Sequence, residues 1–146
     1  MRLIEPGTLI ESWENSLFWY TWDQSAHKEL TSTRAVAGKQ GLSVAFDFAQ
    51  YEYPFVYAPL HPSLDLRGAD KVSVGVFLPE NISGGITVTP AIPEGEKTHE
   101  APSVALRPGW NAVTANLNGA WLPKNVRGSV AQLQWILSAK EKKFAG

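Results

Sequence analysis

No cysteine occurs among the 146 residues, which removes disulfides, zinc–thiolate sites and cysteine nucleophiles together. That absence does not fix the compartment. Charge of neither sign accumulates: 13 Lys and Arg face 14 Asp and Glu for a net charge of −1. The one basic cluster is KEKK, residues 140–143. Nucleic-acid binding needs several clustered cations to neutralise phosphates, so it is not expected. No apolar run approaches the length of a membrane span, and MRLIEPGTLIESW at the start has no apolar signal-peptide segment. Enzyme signatures are missing as well. Neither G-x-S-x-G nor H-E-x-x-H occurs. Glu11, Glu14, Asp47 and Glu52 show no spacing that marks the facing carboxylates of a glycosidase. His27, His61 and His99, with Arg34, Arg67, Arg107 and Arg127, form no cluster in sequence. A helix with a capping signal and a sustained 3.6-residue period is also lacking.

What remains is β-structure. A hydrophobic fraction of 44% and a charged fraction of 18% are ordinary for one globular domain, expected here to span residues 1–146. LSVAFDF (42–48) alternates Leu42, Val44, Phe46 and Phe48 with Ser43, Ala45 and Asp47, the period of a half-buried strand. KVSVGVFL (71–78) puts Val72, Val74, Val76 and Leu78 on one face. GITVTPAI (85–92) follows the loop PENISGG and reads as its hairpin partner. Pro90 puts that strand at an edge or at a bulge. WNAVTANL (110–117) turns Val113, Ala115 and Leu117 inward and ends at the turn signal Asn118-Gly119. VAQLQWILSA (130–139) separates Leu133, Trp135 and Leu137 from Gln132, Gln134 and Ile136. Shorter candidates are TLIESW (8–13), FWYTW (18–22) and ELTSTRAVA (29–37). An all-β antiparallel β-sandwich or jelly roll follows.

The motifs resemble a known family. LIESWEN, GKQGLSVAFDF, SLDLRGADKVSVGVFLPE, LRPGWNAVTANL and VAQLQWIL occur in the order of the jelly-roll carbohydrate-binding modules of bacterial glycoside hydrolases, which are galactose-binding-like β-sandwiches. Leu64–Val74 resembles their run into a core strand, and Pro108–Val113 resembles their "gWn-x-v". The resemblance implies a non-catalytic module that binds plant cell-wall polysaccharide, of the β-glucan, mannan or xylan class, by aromatic stacking in a groove. It also implies a secreted or cell-surface location and a catalytic glycoside hydrolase domain in the parent protein. Two other readings stay open: a protein-interaction β-sandwich without sugar ligand, and a jelly-roll polysaccharide lyase or hydrolase.

One departure concerns the end of the chain. The resembling modules finish with a strand that lies beside the first one, whereas this sequence stops at KFAG (143–146). An Asp of that strand helps to hold a structural calcium with an acid of the first strand. Glu11 or Glu14 is the corresponding acid here, and the later Asp is missing. The strand around Thr8 to Trp13 is then expected to expose unpaired backbone groups. Such an edge recruits a second copy of the chain or a substitute strand from MRLIEP.

The rings supply the candidate site. Six Trp, six Phe and four Tyr are present, and Phe18, Trp19, Tyr20 and Trp22 fall almost in succession. A pyranose offers an apolar face and a rim of hydroxyls. A flat, rigid ring covers the face at low entropic cost, and nearby amides bond the rim. In an extended FWYTW, Phe18, Tyr20 and Trp22 share one side and Trp19 takes the other, so one set faces solvent. Trp19 and Trp22 are therefore ligand candidates. Tyr53, Tyr57 and His61 lie in QYEYPFVYAPLHP, which the resemblance puts near the groove; the other reading is a rigid aromatic loop. Trp121, beside turn residues, either plugs a core end or serves a ligand. Gln132 and Gln134 point away from the core, about 6.5 Å apart along a strand, suited to sugar hydroxyls. Trp110 resembles the family's structural tryptophan and is expected to be packed. Trp13 and Trp135 are expected in the core.

Overall fold

The computed structural model describes residues 2–3, 20–21, 26–31, 41–46, 48, 53–82 and 85–140. These residues form the strands β1 (Arg2–Leu3), β2 (Tyr20–Thr21), β3 (Ala26–Thr31), β4 (Gly41–Phe46), β5 (Phe55–Asp65), β6 (Lys71–Leu78), β7 (Ile86–Glu94), β8 (Lys97–Glu100), β9 (Val104–Ala105), β10 (Gly109–Asn116) and β11 (Val130–Ala139). A single helical turn, α1 (Lys124–Arg127), precedes β11. A seven-stranded sheet runs β1-β5-β11-β7-β8, with β2 also on β5 and β9 also on β7. β10 pairs with β6, and β3 with β4. Every pairing is antiparallel except β1 with β5.

Period-two alternation builds the core. In β10, Val113 and Ala115 are buried while Ala112, Thr114 and Asn116 are exposed. β6 alternates in the same way, with Val72, Val74 and Val76 turned to the core and Lys71, Ser73 and Gly75 turned out. β11 buries Leu133 and Trp135, and Leu137 packs beside them. These rows meet Val56, Ala58, Val88, Ile92, Phe46 and Phe48 in one cluster. Two antiparallel layers with a shared apolar interior make a β-sandwich. Full burial of each such aliphatic side chain contributes about 1.5–3 kcal/mol.

Several expectations need correction. The 79–85 segment is not a hairpin loop: β6 pairs with β10, so the chain crosses from one sheet to the other before β7. Of the two alternatives at Pro90 the edge is excluded, because β7 lies between β11 and the β8/β9 pair, and the irregularity holds. The physical reason is local. The Pro90 carbonyl accepts the Ala101 N–H at 2.8 Å, and in an extended strand the N–H and C=O of a residue point the same way. The missing N–H therefore faces the β8/β9 side, where the ladder is interrupted between Ala91↔Glu100 and Val88↔Val104. Of the loop or strand open to the aromatic stretch before residue 62, the described part from Phe55 onward is strand. It opens β5, an interior strand of 11 residues. Between the pairs Pro59↔Gln132 and Leu64↔Val130 its register shifts, and this irregularity accommodates Pro62. β3 starts at Ala26, earlier than the expected 29–37 strand. Thr8–Trp13 lie outside the described residues, so the edge expected there is not described. The N-terminal Arg2–Leu3 does enter a sheet, in parallel with Leu64–Asp65 of β5.

The crossing out of β5 is held by charge. Asp65, 5% exposed, accepts hydrogen bonds from the Arg67 N–H at 3.0 Å and from Arg67 Nε at 2.8 Å. Arg127 Nε donates to the Leu66 carbonyl at 3.0 Å, and its NH2 donates to the Ala69 carbonyl. The bonds from Arg67 hold the Asp65 carboxyl at about 2 against an ordinary 3.8. A carboxylate with a depressed folded value stabilises the fold above 3.8 and loses that contribution as pH falls toward 2. Asp65→Asn is expected to be less stable than the parent at pH 6 and to converge on it between pH 4 and pH 2. Denaturant midpoints across that range check it; a gap that stays constant to pH 2 would remove Asp65 from the account.

Candidate functional site

The outer face of the seven-stranded sheet carries the polar complement of the core rows. On β5 the outward positions are Phe55, Tyr57 and Pro59, and on β11 they are Gln132, Gln134 and Ile136; all are half-buried. Register aligns them: Pro59 opposes Gln132, Tyr57 opposes Gln134 and Phe55 opposes Ile136. Gln134 in turn opposes Ala91 of β7, which opposes Glu100 of β8. Tyr57, Gln134, Ala91 and Glu100 thus form one row across four strands, about 14 Å long at the usual strand spacing. Ala91 is the small member between the ring and amide on one side and the carboxylate on the other.

The expected residues divide as follows. Tyr57, Gln132 and Gln134 come together on this face. Phe55 and Tyr57 lie tilted to one another with centroids 5.9 Å apart. Tyr53, 63% exposed, sits just before β5 at the Phe55 end. His61 lies on β5 within the register shift, and its side chain is outside the described residues. Trp19, Trp22, Glu11 and Glu14 are outside them too. Tyr20 pairs with Tyr57 and Thr21 with Val56 through β2. The two glutamines differ from expectation in one respect. Their amides are not separate readers, because Gln134 Nε2 donates to Gln132 Oε1 at 2.9 Å. The pair acts as one unit with Gln132 Nε2 at one end and Gln134 Oε1 at the other.

Beyond Glu100 the surface opens into a pocket of about 590 Å³, lined by Thr89, Glu100, Ala101, Pro102, Ser103, Asn116, Gly119, Ala120 and Trp121. Trp121 is neither a plug alone nor a free ring: it is half-buried, packs against the core cluster and lines the pocket. Its indole Nε1 donates to the Asn116 carbonyl at 2.7 Å. The turn that carries it is anchored by Leu117 and Leu122, 1% and 5% exposed. Asn118 bonds Asp70 Oδ1 at 3.0 Å and accepts from Arg127 NH1. Gly119 is a steric requirement, since a Cβ there would stand 2.7 Å from Trp121 Cδ1. Thr89 Oγ1 and Ser103 Oγ, 2.6 Å apart, add hydroxyls to the rim. Ring, carboxylate, amide and hydroxyls thus converge on one concavity, the composition that binds a polyhydroxylated ligand.

Glu100 was missed by sequence reasoning. PEGEKTHE reads as a polar stretch, yet Gly95 at φ +59 makes the tight turn that folds β8 back on β7. A glycine opening a two-residue turn after a strand was the available signal. The packed role expected for Trp110 is also corrected. It is 51% exposed, because it has the opposite parity to the inward Val113 and Ala115 on β10. Among the described residues no group of three or more acidic or histidine side chains could hold a metal ion, and no helix is long and apolar enough to cross a membrane.

No family model matches the chain, and no curated protein does. Solved structures do. One comes from a study of the promiscuous specificity of carbohydrate-binding modules of the β-sandwich superfamily: TM-score 0.58, 14% identity, with 88% of this chain matched to 53% of that one. A second is the N-terminal CBM22-1–CBM22-2 tandem of Xyn10C from Paenibacillus barcinonensis: TM-score 0.58, 14% identity, covering 92% of this chain and 41% of that one. A third is the CBM22-1 xylan-binding domain of the same Xyn10C: TM-score 0.53, 14% identity, covering 87% and 78%. The chain therefore has the β-sandwich fold of these modules, and it spans about half the length of the first two matched chains.

Proposed function

We propose that this domain is a non-catalytic module that binds a neutral, β-linked cell-wall polysaccharide along the outer face of its seven-stranded sheet. The observation that carries the reading is the row Tyr57–Gln134–Ala91–Glu100, which leads into the Trp121 pocket. Tyr57 supplies a stacking surface, the glutamine pair reads hydroxyls, and Glu100 accepts from a diol at the pocket mouth. Register fixes all of them before ligand arrives, which limits the entropic cost of binding. The solved structures of like fold include a xylan-binding domain, which makes xylan the first probe, ahead of glucan and mannan. Glu100 is the one carboxylate lining the pocket among the described residues, and canonical glycoside hydrolysis uses a facing pair; this favours binding over catalysis. A plant-wall ligand puts the module outside the cell, carried by a catalytic glycoside hydrolase domain.

Affinity electrophoresis in gels containing xylan, β-glucan or mannan tests the reading. At least one polymer is expected to retard the domain regardless of salt, with no new reducing or unsaturated ends. In calorimetry, Gln134→Ala is expected to lose binding enthalpy and about fivefold in affinity, one charge-free hydrogen-bonding unit being worth about 1 kcal/mol. Full mobility in every gel, or unchanged enthalpy for both Gln132→Ala and Gln134→Ala, would overturn it.

A further inference from the structure

The β10–β6 pair turns a second face outward, on the opposite side of the sandwich, since the inward rows of both sheets meet in one core. Three cross-strand pairs lie on it: Trp110 with Phe77, Ala112 with Gly75, and Thr114 with Ser73. Trp110 is 51% exposed, and its ring meets Phe77 edge to face, 5.4 Å between centroids at 72°. Next along comes a gap where neither strand has a side chain larger than a methyl group. After it, Ser73 Oγ and Thr114 Oγ1 stand 2.6 Å apart. The three pairs follow at steps of about 6.8 Å.

The ring is presented, not merely left over. Asn111 accepts the Arg107 N–H at 2.9 Å and donates to the carbonyls of Arg107 at 2.8 Å and Gly109 at 3.0 Å. Gly109 takes φ +91 to close that turn. The backbone on both sides of Trp110 is thereby fixed, and Phe77 fixes the tilt of the indole. An apolar ring held in water by this much local structure is a prepared contact surface. No charged side chain stands on the three pairs, which points to a neutral ligand. A ring, a gap and a pair of hydroxyls in line match a chain of pyranoses, stacked at one residue and hydrogen-bonded at the next.

We propose that the outer face of β10–β6 is a second saccharide-binding surface, with Trp110 as its stacking platform. The inference rests on the reading that the domain takes polysaccharide. Trp110 and the Trp121 pocket lie at opposite ends of β10, on the order of 20 Å apart, so one module grips two chains or two stretches of one chain. Its retention on an insoluble polymer then exceeds either single affinity through effective concentration.

Amide and indole shifts of the labelled domain, titrated with xylohexaose and then cellohexaose, separate the possibilities. The expected result is two groups of shifts, one at Tyr57, Gln134 and Trp121, the other at Gly75, Ala112 and the Trp110 indole. Trp110→Ala is expected to weaken the second group by about tenfold or more and to leave the first unchanged. Ala112→Glu, an exposed position, is expected to do the same by filling the gap with charge, and it serves if the first variant misfolds. Shifts confined to the Tyr57–Trp121 face overturn this inference and leave the main reading standing. Shifts confined to the Trp110 face support this inference and overturn the main site. A concentration-dependent dimer that Trp110→Ala abolishes shows the ring to be a self-association contact and overturns the proposal. Absence of any shift with either sugar overturns both.

Discussion

Trp121→Ala is expected to weaken polysaccharide binding by about 30-fold or more, the ~2 kcal/mol scale of a well-packed aromatic anchor. Among the described residues the ring is the one aromatic wall of the pocket, and its indole N–H is already committed to the Asn116 carbonyl. It therefore contributes area and rigidity, not a hydrogen bond to ligand. Because the same ring packs against the core cluster, the variant is also expected to lose about 2 kcal/mol of stability, within the range for partial removal of a large side chain. Gly119→Ala separates the two effects. Its Cβ would stand 2.7 Å from Cδ1 and 3.0 Å from Nε1 of Trp121, so the ring must leave its place while keeping its bulk. Binding should fall in this variant with a smaller loss of stability. Full affinity in Trp121→Ala, measured at saturating folded fraction, would take the pocket out of the site.

Trp135→Ala is expected to lower stability by about 3–5 kcal/mol, the cost of truncating a core aromatic. Trp135 is 7% exposed, sits on the central strand β11 opposite both Val56 and Pro90, and belongs to the core cluster. Trp110→Ala, by contrast, is expected to cost no more than about 1 kcal/mol, since the lost contacts are largely an exposed edge-to-face pair with Phe77. Denaturant unfolding of the two variants compares them under one condition. Equal losses would show that Trp110 is buried in solution by something absent from this fold.

Trp110, 51% exposed, sets family likeness against strand parity. Val113, Ala115 and Leu117 were correctly assigned inward, and that parity alone turns Trp110 outward. The likeness of Pro108-Gly109-Trp110-Asn111 to a family pattern points to a packed ring, the strand period points outward, and the fold follows the period. Where alternation was allowed to decide, as in β4, β6 and β11, both the strand and its faces were legible. The outward placement of Gln132 and Gln134 was legible for the same reason, whereas Tyr57 was singled out only through the family likeness of its segment. β5 was harder because Pro54, Pro59 and Pro62 read as loop punctuation, while Pro59 and Pro62 lie within the strand, Pro62 at its register shift. Glu100 was invisible because its role depends on a cross-strand partner, Ala91, which no local pattern announces. The pocket itself joins β7, the segment after β8 and the turn after β10, three stretches that only the tertiary fold brings together.

A crystal structure of the domain soaked with xylohexaose tests the central claim most directly. The account predicts sugar rings over Tyr57, hydroxyls within hydrogen-bonding distance of the Gln132–Gln134 pair, and a terminal unit beside Glu100 and Trp121. Sugar bound at full occupancy with the outer face of the seven-stranded sheet bare would contradict it.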